Sequence, residues 1–134
     1  MSGAIALSAG LNRFTAGDSQ GNFTPLATPR DVYAFTRNSP VLLCNRSLIK
    51  GRLGTQMPRV VLDVLELFAF VCPACPVVPT IKELARFLNM TVPVNGAEEV
   101  RALFSMVRIL LGKLAALDLN ERKKAVSLAL AMMR

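Results

Sequence analysis

The chain has 134 residues, 52% of them hydrophobic and 19% charged, and its sixteen Lys and Arg against nine Asp and Glu give a formal net charge of +7. That length supplies one core, burying roughly two thirds of the surface an unfolded chain exposes, so one compact domain is expected. With no histidine in the chain, Ser-His-Asp and Cys-His arrangements are excluded and the commonest general base is missing.

Apolar content lies above the usual soluble level and charge below the typical ~25%, a balance that suits packing against more protein than this chain supplies. The richest apolar run, VVLDVLELFAFV, is broken by Asp63 and Glu66, short of the about 20 consecutive apolar residues of a membrane helix. The N-terminus, MSGAIALSAGLNRF, lacks a basic region ahead of a sustained apolar one and makes a poor secretory signal. A cytoplasmic protein is expected.

In chain order, residues 3–27 read as two short strands around a turn of Asp18, Ser19, Gln20, Gly21 and Asn22, all but one of them turn formers. Thr28 followed by Pro29 supplies a cap and a first helical position, and Val32, Phe35 and Thr36 give a short helical face that stops near Asn38. Val41, Leu42, Leu43 and Cys44 form a continuous apolar run, as in a strand buried on both faces, ended by Asn45. RSLIKGRLG carries Leu48, Ile49 and Leu53 at near-helical spacing, with Gly51 and Gly54 as terminators. A strand over 59–63 is expected to run into a helix over 64–71.

After a proline-rich loop over 73–79, Thr80 with Glu83 three residues on has the capping-box pattern, heading a helix with Ile81, Leu84, Ala85 and Leu88 as its apolar stripe. Ala97, Glu98 and Glu99 open the longest helix, where Val100, Leu103, Phe104, Val107, Leu110, Leu111 and Leu114 recur at three- and four-residue steps. Its acidic start and basic later turns suit the helix dipole. A last helix over 120–134 is apolar around much of its circumference and has no terminating signal, which suggests a chain continuing into a longer protein.

Few residues carry catalytic chemistry. A structural zinc site takes four ligands, typically Cys and His, and this chain has three cysteines, with Cys44 remote from the C-x-x-C of Cys72 and Cys75. That pair follows an apolar helix, whereas an activated thiol sits at a helix N-terminus; the two read as partly buried cysteines of a proline-rich loop. No phosphate-binding glycine motif is present, so no small-molecule substrate is evident and no cofactor is expected in this chain. The basic residues group as Arg46, Lys50, Arg52 and Arg59, and as Arg122, Lys123 and Lys124, without interleaved aromatics. They suit either a polyanion such as DNA or a solvated surface.

The order of segments over 41–117 resembles the second half of the DnaQ-like 3′–5′ exonuclease domain, of the ribonuclease H-like fold. Leu42, Leu43, Cys44 and Asn45 stand at its H-N-A-x-F-D motif, Val61, Leu62, Asp63, Val64, Leu65, Glu66 and Leu67 at V-[IL]-D-T-L-E-L-A, residues 81–88 at L-x-x-L-A-x-x-L-G, and Val94, Asn95, Gly96, Ala97, Glu98 and Glu99 at H-x-A-x-x-D. The chemistry departs from the pattern: the histidine falls on Val94, the last metal-binding aspartate on Glu99, and the aspartate after H-N-A-x-F on Ile49 or Lys50. The first D-x-E motif has no counterpart over 4–10. The stretch LDVLELFAFVCPACPVVPTIKELARFLNM is also similar to the N-terminal region of DinG-type ATP-dependent DNA helicases of alphaproteobacteria.

Together these resemblances imply an α/β domain over 1–119, a small mixed sheet with an N-terminal hairpin, flanked by helices and ending in two long ones, the helix over 120–134 leading into a helicase motor on the same polypeptide. The implied role is a non-catalytic accessory module of a DNA-repair helicase, with no membrane partner, no catalytic or metal-ligating residue, and DNA contacted by Arg46, Lys50, Arg52 and Arg59. A protein-interaction module docking apolar helices is the alternative. A metal-dependent nuclease, needing Glu98, Glu99, Asp63 and Glu66 to converge on manganese or magnesium, is the third.

Overall fold

The structure is a computed structural model that describes residues 3–10, 13–75, 79–116, 123 and 127. The helix expected over 120–134 falls outside the described residues apart from Lys123 and Ser127. Five strands, β1 (Ile5–Ala9), β2 (Phe14–Gly17), β3 (Phe23–Leu26), β4 (Val41–Leu43) and β5 (Val61–Asp63), form one sheet in the order β3-β2-β1-β4-β5. The first three are antiparallel neighbours, while β4 lies parallel to both β1 and β5. The helices are α1 (Pro29–Thr36), α2 (Arg46–Leu53), α3 (Val64–Val71), α4 (Ile81–Phe87) and α5 (Gly96–Ala115). The architecture is mixed α/β, with antiparallel strands at the N-terminus and parallel ones after them, as expected.

Residues 3–27 hold three strands where two were expected. Gly10 N–H donates to the Arg13 carbonyl at 2.8 Å, turning the chain between β1 and β2. Neither strand alternates: the central residues of β1 and all of β2 are buried, so no period-two signal separated them. The second turn is where its residues placed it. The Asp18 carboxylate accepts from Gln20 N–H at 2.9 Å, Asn22 N–H at 3.1 Å and the Asn22 amide at 3.1 Å, and Gly21 takes the positive φ of 96° that the turn requires.

Helix ends follow the caps read in the sequence. Thr28 Oγ1 accepts from Asp31 N–H at 3.2 Å and Asp31 Oδ2 from Thr28 N–H at 3.3 Å, a reciprocal box with Pro29 at the first helical position. Thr80 Oγ1 accepts from Glu83 N–H at 3.2 Å, and the Glu83 side chain turns forward to pair with Arg86. Gly51 lies inside α2 and does not end it; Gly54, with φ 56°, is the C-cap.

Two apolar layers cover the sheet. Leu7, Phe14, Ala16, Val41, Leu43 and Val61 face α1 and α2, meeting Val32, Ile49 and Leu53. Ala4, Ala6, Leu42 and Leu62 face α3, α4 and α5. This double cover is why the parallel strands are apolar without a break. Leu111, placed in the buried stripe of α5 by its spacing, is 45% exposed, whereas Met106 is fully buried. Among the described residues no helix is long and apolar enough to cross a membrane.

The start of α5 lies unusually close to β1 and β2, because the residues facing it there are small: Ala4, Ala6, Ser8, Thr15 and Gly17. A Cβ on Gly17 would meet Val100 Cγ1 at 2.5 Å and the Asn22 carbonyl oxygen at 2.7 Å; one on Gly96 would meet the Thr15 Cβ at 2.9 Å. Gly17→Ala is therefore expected to lower stability by about 1–3 kcal/mol through overpacking, while Gly112→Ala, where nothing lies within 4 Å, should not destabilise; urea unfolding of the two variants checks the contrast.

Candidate functional site

The site lies at the carboxyl ends of the parallel neighbours β1 and β4, where clefts commonly form. Beyond Leu43 the chain turns sharply at Asn45, which adopts a left-handed φ of 67° and accepts from Leu48 N–H at 3.3 Å as the N-cap of α2. Asparagine tolerates that conformation because its short amide bonds locally.

Asp63, at the end of the neighbouring β5, holds this elbow. It is 4% exposed, and its Oδ1 accepts from Asn45 N–H at 3.0 Å and Leu65 N–H at 2.9 Å while Oδ2 accepts from Arg46 N–H at 2.8 Å. One carboxylate thus caps α3 and fastens the start of α2, satisfying backbone donors that helix ends otherwise leave unpaired. With both oxygens engaged, Asp63 is a structural acceptor.

On the other side of the β4 terminus, Ser8 of β1 is buried and its hydroxyl donates to Glu99 Oε2 on the first turn of α5. Between these groups opens a cleft of about 220 Å³, mostly apolar, with Ser8, Cys44, Asn45, Leu48, Lys82 and Glu99 among its lining residues. Burial, and then the negative charges of Asp63 and Glu99, push the Cys44 thiol up to about 12. It stays protonated at neutral pH and is a poor nucleophile.

The four expected cation sites are not one patch. Arg46 and Lys50 are exposed and four residues apart on one face of α2. Arg52 is half-buried, with its guanidinium 4.6 Å from the centroid of the Phe14 ring and donating to the Gly10 carbonyl, so it braces the turn between β1 and β2. Arg59 is exposed two residues before β5, at the opposite end of the parallel strands from Arg46. Lys82, on the cleft rim, was not singled out in the sequence; its position just after the Thr80 cap was the available signal. Ser8 and Glu99 were not paired either, although Ser8 is the one polar residue of β1.

The carboxylates named for a metal centre are dispersed: Asp63 serves backbone N–H groups, Glu99 accepts from Ser8, Glu66 is exposed on α3 and Glu98 is half-buried on α5. Among the described residues no group of three or more His, Cys, Asp or Glu is placed to hold a metal ion. The arrangement offers shape, hydrogen bonds and nearby positive charge. Comparison with family models, with curated proteins and with solved structures yields no match to this chain.

Asp63→Ala leaves three backbone donors without their acceptor, at about 1–3 kcal/mol for each one that stays buried, and is expected to cost at least about 3 kcal/mol in total by urea unfolding. Cys44 should resist alkylation in the native chain and react once it is unfolded, while half-buried Cys72 and Cys75 react natively. Because the folded thiol is raised from its ordinary 9.0 to about 12, its contribution is fully present below 9.0 and is lost as pH rises toward 12, where the unfolded chain alone ionises first. Unfolding of wild type and Cys44→Ala across that window should converge in stability as pH rises.

Proposed function

We propose that this domain is a non-catalytic, exonuclease-like accessory module of an ATP-dependent DNA helicase of DNA repair, acting in the cytoplasm, and that it engages single-stranded DNA along α2 and the cleft beside it. The observation that carries the reading is the composition of that cleft. It lies at the carboxyl ends of β1 and β4, where the resemblance places the metal-binding carboxylates of the exonucleases, yet Ser8, Ala9, Cys44 and Asn45 line it and its one carboxylate, Glu99, is held by Ser8. Retained shape without the ligand set favours binding over hydrolysis.

Arg46 and Lys50, exposed on α2 outside the cleft lining, and Lys82 within that lining supply positive charge for phosphates; the apolar walls accept a base or sugar. Arg59, at the other end of the strands, would join only through a longer path of the polynucleotide. The net charge of +7 adds a favourable long-range field for a polyanion.

The second reading, a protein-docking module, is favoured by Phe23 and Phe35, 52% and 42% exposed on β3 and α1, away from the cleft. Self-association that Phe35→Ser abolishes, with no DNA binding, would favour it.

In a fluorescence-anisotropy titration with single-stranded DNA, affinity is expected to fall steeply with salt. The double variant Arg46→Ala/Lys50→Ala should weaken binding for all sequences alike and flatten the salt slope by about 1 for each phosphate that is no longer neutralised. No salt-dependent binding at low ionic strength, or an unchanged slope in the double variant, would overturn the proposal.

A further inference from the structure

We propose that Cys72 and Cys75 are a thiol-pair modification site, which closes to an intramolecular disulfide by exchange with a small-molecule disulfide and reopens under reducing conditions. Cys72 is the C-cap of α3, its N–H bonded to the Phe68 carbonyl at 2.8 Å, and Cys75 N–H donates to the Cys72 carbonyl at 3.1 Å. That bond closes a four-residue turn, which brings its first and last Cα atoms within about 7 Å. A disulfide spans Cα separations of about 4.4–6.8 Å.

The side chains are set for the same closure. The Cys75 thiol is close enough to act on the Cys72 thiol, and Pro73, second in the turn, holds its φ without further ordering. Both cysteines are half-buried against the core formed by α3, α4 and α5, within reach of a small disulfide. Cys44 is buried at the end of β4 and takes no part.

The exchange is balanced. The thiolate of one cysteine attacks a sulfur of the small disulfide, forming a mixed disulfide and breaking the original S–S bond, and the released thiolate takes a proton. The second cysteine, as thiolate, attacks the protein sulfur of the mixed disulfide and expels the other small thiol. Two cysteines lose two hydrogens and two electrons, and one disulfide becomes two thiols. Burial, followed by the neighbouring Cys75 thiol, raises the Cys72 thiol above its ordinary value, with Lys113 of α5 acting in the opposite direction. Attack is therefore slow at neutral pH and accelerates as pH rises.

The bond would pin the turn four residues before Pro79, which is on the rim of the cleft. A ring this short removes little entropy from the unfolded chain, so the consequence is local geometry more than stability.

The reduced full chain, incubated with oxidised glutathione at mildly alkaline pH, is analysed by intact and peptide mass spectrometry. The expected product has lost two hydrogens, carries a Cys72–Cys75 link, retains no glutathione and reverts with dithiothreitol. Cys75→Ser and Cys72→Ser should each instead keep one glutathione on the remaining cysteine of the pair. Persistent glutathione on the wild-type chain, a link that includes Cys44, or a disulfide-joined dimer would overturn the proposal.

Discussion

The carboxylate of Asp63 organises the carboxyl edge of the sheet. Three backbone N–H groups converge on its two oxygens, two from the β4–α2 elbow and one from the first turn of α3. Hydrogen bonds to an ionised acceptor are about twice as strong as neutral ones, and both helices present the positive ends of their dipoles to it. Because β4 and β5 are parallel neighbours in register, Leu43 opposite Asp63, the side chain reaches across one strand spacing to the start of the next helix. The direction of α2, the left-handed turn at Asn45 and the wall of the cleft all follow from that reach.

A second constraint acts on the other side of the cleft. The long helix α5 can settle against β1 and β2 only because Ala4, Ala6, Thr15 and Gly17 leave room for Gly96 and Val100. Its first turn then arrives beside Ser8, and the hydroxyl of buried Ser8 meets half-buried Glu99. Two carboxylates near the cleft have different tasks. Asp63 satisfies backbone donors, whereas Glu99 accepts from one hydroxyl and opens toward the cavity. Between them the Cys44 thiol is kept neutral by burial and by the charges of both. This balance suits a binding surface more than an acid–base pair.

The proposed reading joins these features to the positive face of α2. Arg46 owes its position to the same elbow, since its own backbone N–H is one of the donors to Asp63, and Lys50 follows one turn later. Arg52, of the same sequence cluster, is drawn inward to the Phe14 ring and the Gly10 carbonyl. A contiguous group of cations in the sequence therefore divides into exposed charge, a brace for the β1–β2 turn, and Arg59 at the far end of the strands.

Local chemistry was legible from the chain alone: the caps at Thr28 and Thr80, the turn at Asp18 with Gly21, the continuous apolar strand at Val41 with its end at Asn45 and the stripe of α5 depend on residues within a few positions of each other. The extra strand was not, because β1 and β2 are buried on both faces and carry no alternation. The Leu111 side chain is in step with the stripe, yet among the described residues it is 45% exposed. The pairing of Ser8 with Glu99, ninety-one residues apart, and the service of Asp63 to a helix eighteen residues upstream were decided by the sheet. Side-chain period and capping act over one or two turns of chain, so sequence determined where elements begin and end. Strand order decides which distant polar groups must satisfy each other out of water, and only the tertiary structure holds that information.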